Sequence, residues 1–173
     1  DANLARANEQ VRIFGPYHVE SIAIARDPAR VPPVVGSAAV ALEVFTREKI
    51  GVELAGLADS FLLGALNGRL RENVVHYRTV MEAAAGLRAG EVAAVMATRA
   101  ELEAALAGQP RFVIGAVKMP ELRVDHWPLG MAVKADRPQL AEAMTGALAA
   151  LRSDGTVARI FASYGITPQA PGS

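Results

Sequence analysis

The sequence predicts an α/β fold: a mainly parallel sheet with helices on both faces, followed by C-terminal helices. Three observations carry this. Apolar runs alternate with helical stretches of ten or so residues in the order βαβαβαβαβ, and parallel neighbours need such crossovers. Runs such as EVAAVMA (Glu91 to Ala97) lack polar alternation, as expected for strands covered on both faces. Thr79, Thr98 and Gly90 stand where helix caps belong.

The elements follow in order. VESIAIA (Val19 to Ala25) is a β-branched apolar run, and the Pro-rich RDPARVPPVVG after it continues neither helix nor ladder. Ala38 to Arg47 reads as a helix and KIGVEL (Lys49 to Leu54) as the next strand. LADSFLLGALNG places Leu57, Phe61, Leu62 and Ala65 on one helical face, and NVVHY (Asn73 to Tyr77) follows as a strand. Thr79 caps a helix that turns Val80, Ala84 and Leu87 inward and stops at Gly90. After EVAAVMA, Thr98 opens TRAELEAALAG with Glu101 at capping-box spacing, and FVIGAV (Phe112 to Val117) is the next strand. PLGMAVKAD is strand-like. Asp136 and Pro138 then open a helix with Leu140, Met144, Ala147, Leu148 and Leu151 on one face. Asp154-Gly155 breaks it, and Thr156 opens a short helix that ends at Gly165.

Composition narrows the function classes. With 173 residues, 51% of them hydrophobic, the chain suffices for one compact domain or one lobe of something larger. Lys and Arg number 18 against 18 Asp and Glu, so no net field favours nucleic acid or an anionic membrane. No run of about 18 apolar residues suggests a membrane span. The absence of cysteine removes thiolate metal sites, thiol nucleophiles and disulfides, and fits either redox compartment. The opening DANLARANEQ has neither an initiator Met nor a signal-peptide pattern, so a processed or truncated product is expected.

Enzyme motifs are missing. His18, His76 and His126 lack metal-ligand spacing, Gly51, Gly56 and Gly64 form no dinucleotide fingerprint, and no serine sits in a nucleophile elbow. The fold logic instead points to the carboxyl ends of the parallel strands, where helix N-termini offer N–H groups. That edge comprises Glu53 to Ser60, Tyr77 to Thr79 and Ala97 to Arg99. In AGLADSFL, a Gly turn leads into a helix with Asp59 and Ser60 in its first turn, an arrangement for ligand binding or for ordinary capping. Phe14, Tyr17 and Trp127 lie in the Pro-containing segments FGPYH and DHWPLG, where each suits either a cleft or a core edge.

Three stretches carry a resemblance: EQVRIFGPYHVESIAIARDP, AGLRAGEVAAVMATRAEL and WPLGMAVKADRPQLAEAMTGALAALRSDGTVARIFASYGI. They resemble type II periplasmic solute-binding proteins of family 3, which includes polar amino-acid receptors. In that family two α/β lobes close on a ligand. The resemblance runs from about residue 9 onward and covers the second lobe and returning elements. It implies residues 1–18 as a remnant of first lobe and hinge, 19–128 as the second lobe, 129–166 as returning strand and terminal helices, and 167–173 as a tail.

The departures from the family pattern shape the functional expectation. Gly56, Leu57 and Ala58 stand where amino-acid receptors carry a Gly-Thr-Thr/Ser-like helix start for the ligand carboxylate. Thr98 stands where they carry an Asp for the ligand ammonium. A hydroxyl in place of a carboxylate removes the partner that offsets desolvation of a buried ammonium, a loss on the order of several kcal/mol. An apolar ligand or a protein segment is then favoured over a zwitterion. The same stretches look similar to XoxJ/MoxJ-like accessory proteins of methanol dehydrogenase systems. That resemblance implies a non-catalytic periplasmic protein without a cofactor of its own, acting on a pyrroloquinoline-quinone- and lanthanide-dependent dehydrogenase. The expected contact residues are Tyr17, Gly56, Leu57, Ala58, Asp59, Ser60, Thr98, Arg99 and Trp127. The alternative is an ABC-transporter receptor for an uncharged or apolar solute. The effector domain of a LysR-like regulator shares the general fold, but the terminal DGTVARIFASYGI suits secreted receptors better.

Overall fold

A computed structural model describes residues 10–170; the polar opening stretch before residue 10 and the last three residues of the tail lie outside them. The chain forms two compact units, Ser21–Asp125 and the combination of Asp1–Glu20 with His126–Ser173. The strands are β1 (Val11–Arg26), β2 (Ile50–Glu53), β3 (Val74–Tyr77), β4 (Ala94–Thr98), β5 (Val113–Ala116) and β6 (His126–Lys134). The α-helices are α1 (Ala38–Ala41), α2 (Leu57–Gly64), α3 (Val80–Ala89), α4 (Arg99–Ala105), α5 (Pro138–Ser153) and α6 (Thr156–Ser163). Helices lie on both faces of the sheet, as the alternation predicts.

The sheet order is β3-β2-β4-β1-β5, with β6 pairing to β1 off this path. β2 is parallel to β3 and β4, whereas β1 is antiparallel to both β4 and β5. Four strands therefore run one way and β1 runs against them. β1 also begins at Val11, eight positions before the predicted Val19, because Pro16 forfeits one ladder donor without ending the strand. The predicted helix over Ala38 to Arg47 is shorter: α1 gives way to a 3₁₀ turn at Glu43–Thr46.

Alternation along β1 builds two different layers in the unit Ser21–Asp125. Ala23 and Ala25 face a cluster with Val80, Ala83, Ala84 and Leu87 of α3 and Leu102 of α4. Ile22 and Ile24 point to the opposite face and are equally inaccessible. The predicted inward face of α3 is thus observed. Thr79 Oγ1 accepts the Glu82 N–H at 3.2 Å, and Gly90 ends the helix at φ 79°, a conformation that favours glycine.

Just past β1, buried Asp27 accepts from Arg111 Nη2 at 2.6 Å and from the Ala29 N–H at 3.0 Å. The Arg111 hydrogen bond, helped by the Ala29 N–H, holds its carboxyl below the usual aspartate range. Such a group stabilises the fold above its unfolded-state pKa of about 3.9, and the contribution is lost as pH falls through the lower folded value. Asp27→Asn should therefore flatten the loss of stability below about pH 4. Urea midpoints measured from pH 3 to 7 check this; parallel acid limbs in both proteins would count against it.

In the other unit, α5 and α6 contain no fully buried residue. On the predicted inward face of α5, Leu140 and Leu151 are exposed, while Met144 and Leu148 are half-buried. α5 does start with Pro138 in its first turn, as predicted. The tail returns to β1: the Val19 N–H donates to the Gln169 carbonyl at 3.0 Å, and the Gln169 N–H donates to His18 Nδ1 at 3.2 Å. Among the described residues, no helix is long and apolar enough to cross a membrane.

Candidate functional site

The carboxyl ends of β2, β3 and β4 meet at one edge of the unit Ser21–Asp125, because these strands are parallel. Glu53 lies opposite Tyr77, so the turns leading into α2 and α3 begin side by side. The predicted residues Gly56, Leu57, Ala58, Asp59 and Ser60 occupy the start of α2, and Thr98 and Arg99 occupy the β4–α4 junction. Tyr17 in β1 and Trp127 in β6 are half-buried residues of the other unit.

The turn before α2 is built around Asp59. Ala55 has a left-handed backbone at φ 62°, uncommon for a residue with a Cβ. Asp59 Oδ2 accepts the Ala55 N–H at 2.8 Å, and its Oδ1 lies 2.9 Å from His76 Nε2. A carboxylate only accepts, so the His76 ring donates. Asp59 is 5% exposed. It is thus tied down as a strut of the turn. His76 escapes the sequence reading because its partner is 17 positions away; the one local signal is a titratable side chain at a strand end of this edge.

Other polar side chains at the edge also bond locally. Thr98 is the N-cap of α4 by backbone position, but its hydroxyl makes no bond to a helix N–H. It donates to the Glu101 carboxylate instead. The capping-box spacing is present, and the two side chains bond each other rather than the backbone. Arg99 Nε donates along its own helix to Glu103 at 2.8 Å, and Glu82 Oε2 accepts the Arg78 N–H at 3.0 Å.

Apolar side chains face outward. Leu54 is 62% exposed, Leu57 43% and Met81 58%. The sequence places Leu57 with Phe61 and Leu62 on an inward face, yet α2 buries Ala58, Asp59 and Leu62. The buried acid takes an inward position that hydrophobic periodicity assigns to an apolar residue. Leu57 is displaced to the surface.

Behind the edge, Tyr77 packs between β2 and α3. A Cβ added at Gly51 would lie 3.0 Å from the Tyr77 ring, and one at Gly86 would lie 2.2 Å from Tyr77 Oη. The phenol donates to Glu91 Oε2 at 3.2 Å. Desolvation pushes the Tyr77 pKa above the usual tyrosine value, and the Glu91 carboxylate adds to the shift. Among the described residues, no three His, Cys, Asp or Glu side chains gather as a metal site.

No protein-family model matches the chain. No curated protein matches it. Among solved structures, it is similar to an ancestral cationic amino-acid solute-binding protein, with TM-score 0.70 and 17% identity over 92% of this chain and 64% of that one. It is also similar to a solute receptor for L-cysteine of Neisseria gonorrhoeae, with TM-score 0.60 and 18% identity over 94% of this chain and 59% of that one. A third is the amino-acid ABC transporter substrate-binding protein AbpA of Streptococcus pneumoniae, solved with L-arginine: TM-score 0.62, 13% identity, 90% of this chain and 61% of that one. The likeness establishes the fold, that of type II periplasmic binding proteins. The chain spans about three-fifths of the length of these structures.

Proposed function

We propose that this chain is part of a non-catalytic periplasmic binding protein whose strand-end edge holds an apolar group. The observation that carries this reading is the division of that edge. Asp59 is buried against Ala55 and His76, Thr98 bonds Glu101, and Leu54, Leu57 and Met81 remain exposed. Thr98 offers a hydroxyl rather than a carboxylate to a ligand ammonium, and α2 starts with Leu57 and Ala58 rather than hydroxyl side chains. A zwitterionic amino acid would have to compete there for charges already engaged, Glu101 with Thr98 and Arg99 with Glu103. An apolar segment gains from covering the exposed leucines and methionine.

In the reading favoured by the sequence resemblance, that segment belongs to a pyrroloquinoline-quinone- and lanthanide-dependent methanol dehydrogenase, which this protein helps to mature or activate. Tyr17 and Trp127, which belong to the other unit, are proposed separately as aromatic contact residues. The second reading is an ABC-transporter receptor for an uncharged or apolar solute. The receptor role in this reading is supported by the solved structures similar to this chain, which are amino-acid and solute receptors.

The test mixes the full-length protein with the purified dehydrogenase and follows co-purification and turnover, alongside calorimetry with a metabolite panel. The first reading expects a complex, raised dehydrogenase activity, and at least tenfold weaker association for Leu57→Asp, because a new carboxylate would be desolvated at the contact. No complex together with micromolar binding of one uncharged metabolite would transfer support to the second reading. Micromolar binding of a zwitterionic amino acid would overturn the apolar-edge reading itself.

A further inference from the structure

We propose a second small-molecule site in the unit Ser21–Asp125: a groove beside α2 that takes an uncharged aromatic amide. The groove is open to solvent and offers about 610 Å³, within the range of roughly 300–1,000 Å³ found for small-molecule pockets. It is lined from α2 by Ser60, Phe61 and Gly64, whereas Leu57, Ala58 and Asp59 at the strand-end edge do not line it. Ser60 belongs to both stretches, but the groove continues along α2 to Phe61 and Gly64, away from Leu57.

The space arises from small residues. Ala38 and Ala39 line the groove from α1, and Gly64 and Ala65 line it from the end of α2. A Cβ added at Gly64 would meet nothing within 4 Å. Phe61 and Leu66 supply larger apolar surfaces for a flat ring to contact.

The polar lining defines the chemistry of the ligand. Both charged lining residues are already engaged: Glu121 Oε2 accepts the Ala38 N–H at 3.0 Å, and Arg69 Nη2 donates to Glu43 Oε1 at 3.2 Å. Arg69 is already paired with Glu43, and Glu121 keeps its negative charge, so a ligand carboxylate would meet repulsion rather than a free counter-charge. By contrast, the side chains of Ser60 and Asn67 make no hydrogen bond within the described residues, and each both donates and accepts. An amide group, itself donor and acceptor, complements them.

The backbone of the groove supplies an independent observation. Leu66 at φ 51° and Asn67 at φ 57° precede Gly68 at φ 81°, three successive left-handed residues. Asparagine and glycine enter this region readily, but a leucine there is strained by its Cβ. The strained residue and Asn67 both line the groove, and retained strain of this kind concentrates at ligand-binding features.

The experiment titrates the full ¹⁵N-labelled chain with N-acetyl-L-phenylalaninamide and follows backbone amide shifts. Saturable changes are expected at Ala39, Gly64, Ala65 and Leu66, with millimolar affinity. Gly64→Trp, which fills the open space, should abolish them; Ala39→Trp is the second blocking variant should the first fail to fold. Leu66→Gly should raise the urea midpoint by relieving strain and yet weaken the probe, a divergence that a purely structural turn would not produce. Shifts confined to Leu54, Leu57 and Thr98 would place the probe at the strand-end edge and overturn the second site. Equal binding of zwitterionic phenylalanine, or no saturable shift at millimolar probe, would overturn the proposal as well.

Discussion

Asp59→Ala is expected to destabilise the protein by about 2–4 kcal/mol, since hydrogen bonds to a charged group contribute about 1.5–3 kcal/mol each and this carboxylate receives two. The bonds come from the Ala55 N–H at 2.8 Å and the His76 ring at 2.9 Å. His76 is partly exposed and can turn to water, so its lost bond counts for less. The Ala55 bond counts for more, because it holds a left-handed turn that alanine does not favour. Asp59→Asn keeps an acceptor for Ala55 and should cost about half as much. The urea midpoint should fall with an unchanged slope, as expected for a loss of stability alone. A change below about 0.5 kcal/mol would show that the turn holds itself.

Gly86→Ala sets two effects of opposite sign against each other. Alanine in a helix interior gains about 1 kcal/mol over glycine. Here the new Cβ would lie 2.2 Å from Tyr77 Oη and 2.8 Å from Cζ, so the ring must move. Its motion is restricted because β2 approaches at Gly51 and Glu91 holds the phenol. Overpacking costs about 1–3 kcal/mol, so the clash should win by up to about 2 kcal/mol. The decisive measurement is the same substitution in a Tyr77→Ala background. With the ring gone, Gly86→Ala should become stabilising by up to about 1 kcal/mol. A coupling energy near zero in this cycle would mean that Gly86 matters for some reason other than the tyrosine.

What could be read in the sequence follows from the range of each interaction. Thr79 and Gly90 act on the backbone within a few residues, and both caps occur where their types predict. Strand positions likewise follow from apolar runs. Strand direction does not, because periodicity is unchanged when a strand is reversed; β1 is antiparallel to its neighbours for reasons that lie in the chain path. The face of α2 was legible only in part. Helical periodicity reads Leu57 as inward, whereas Asp59 takes the buried place through bonds to Ala55 and His76. The His76 bond joins residues 17 apart and leaves no local pattern. At Thr98 the cap position was legible, but the partner of the hydroxyl was decided by the reach of the Glu101 side chain.

The two faces of β1 differ in how they can respond to mutation. Ala23 and Ala25 meet Ala83 and Ala84, side chains that surrender no rotamer entropy on folding. They also have no rotamers with which to make room. A larger residue on that layer would have to push a helix away from the sheet. Ile22 and Ile24 on the opposite face lose rotamer freedom on folding, and longer side chains of this kind can repack around a change in volume. Sequence drift should therefore accumulate on the isoleucine side of the sheet, while the alanine side retains its small residues to preserve the spacing between sheet and helices.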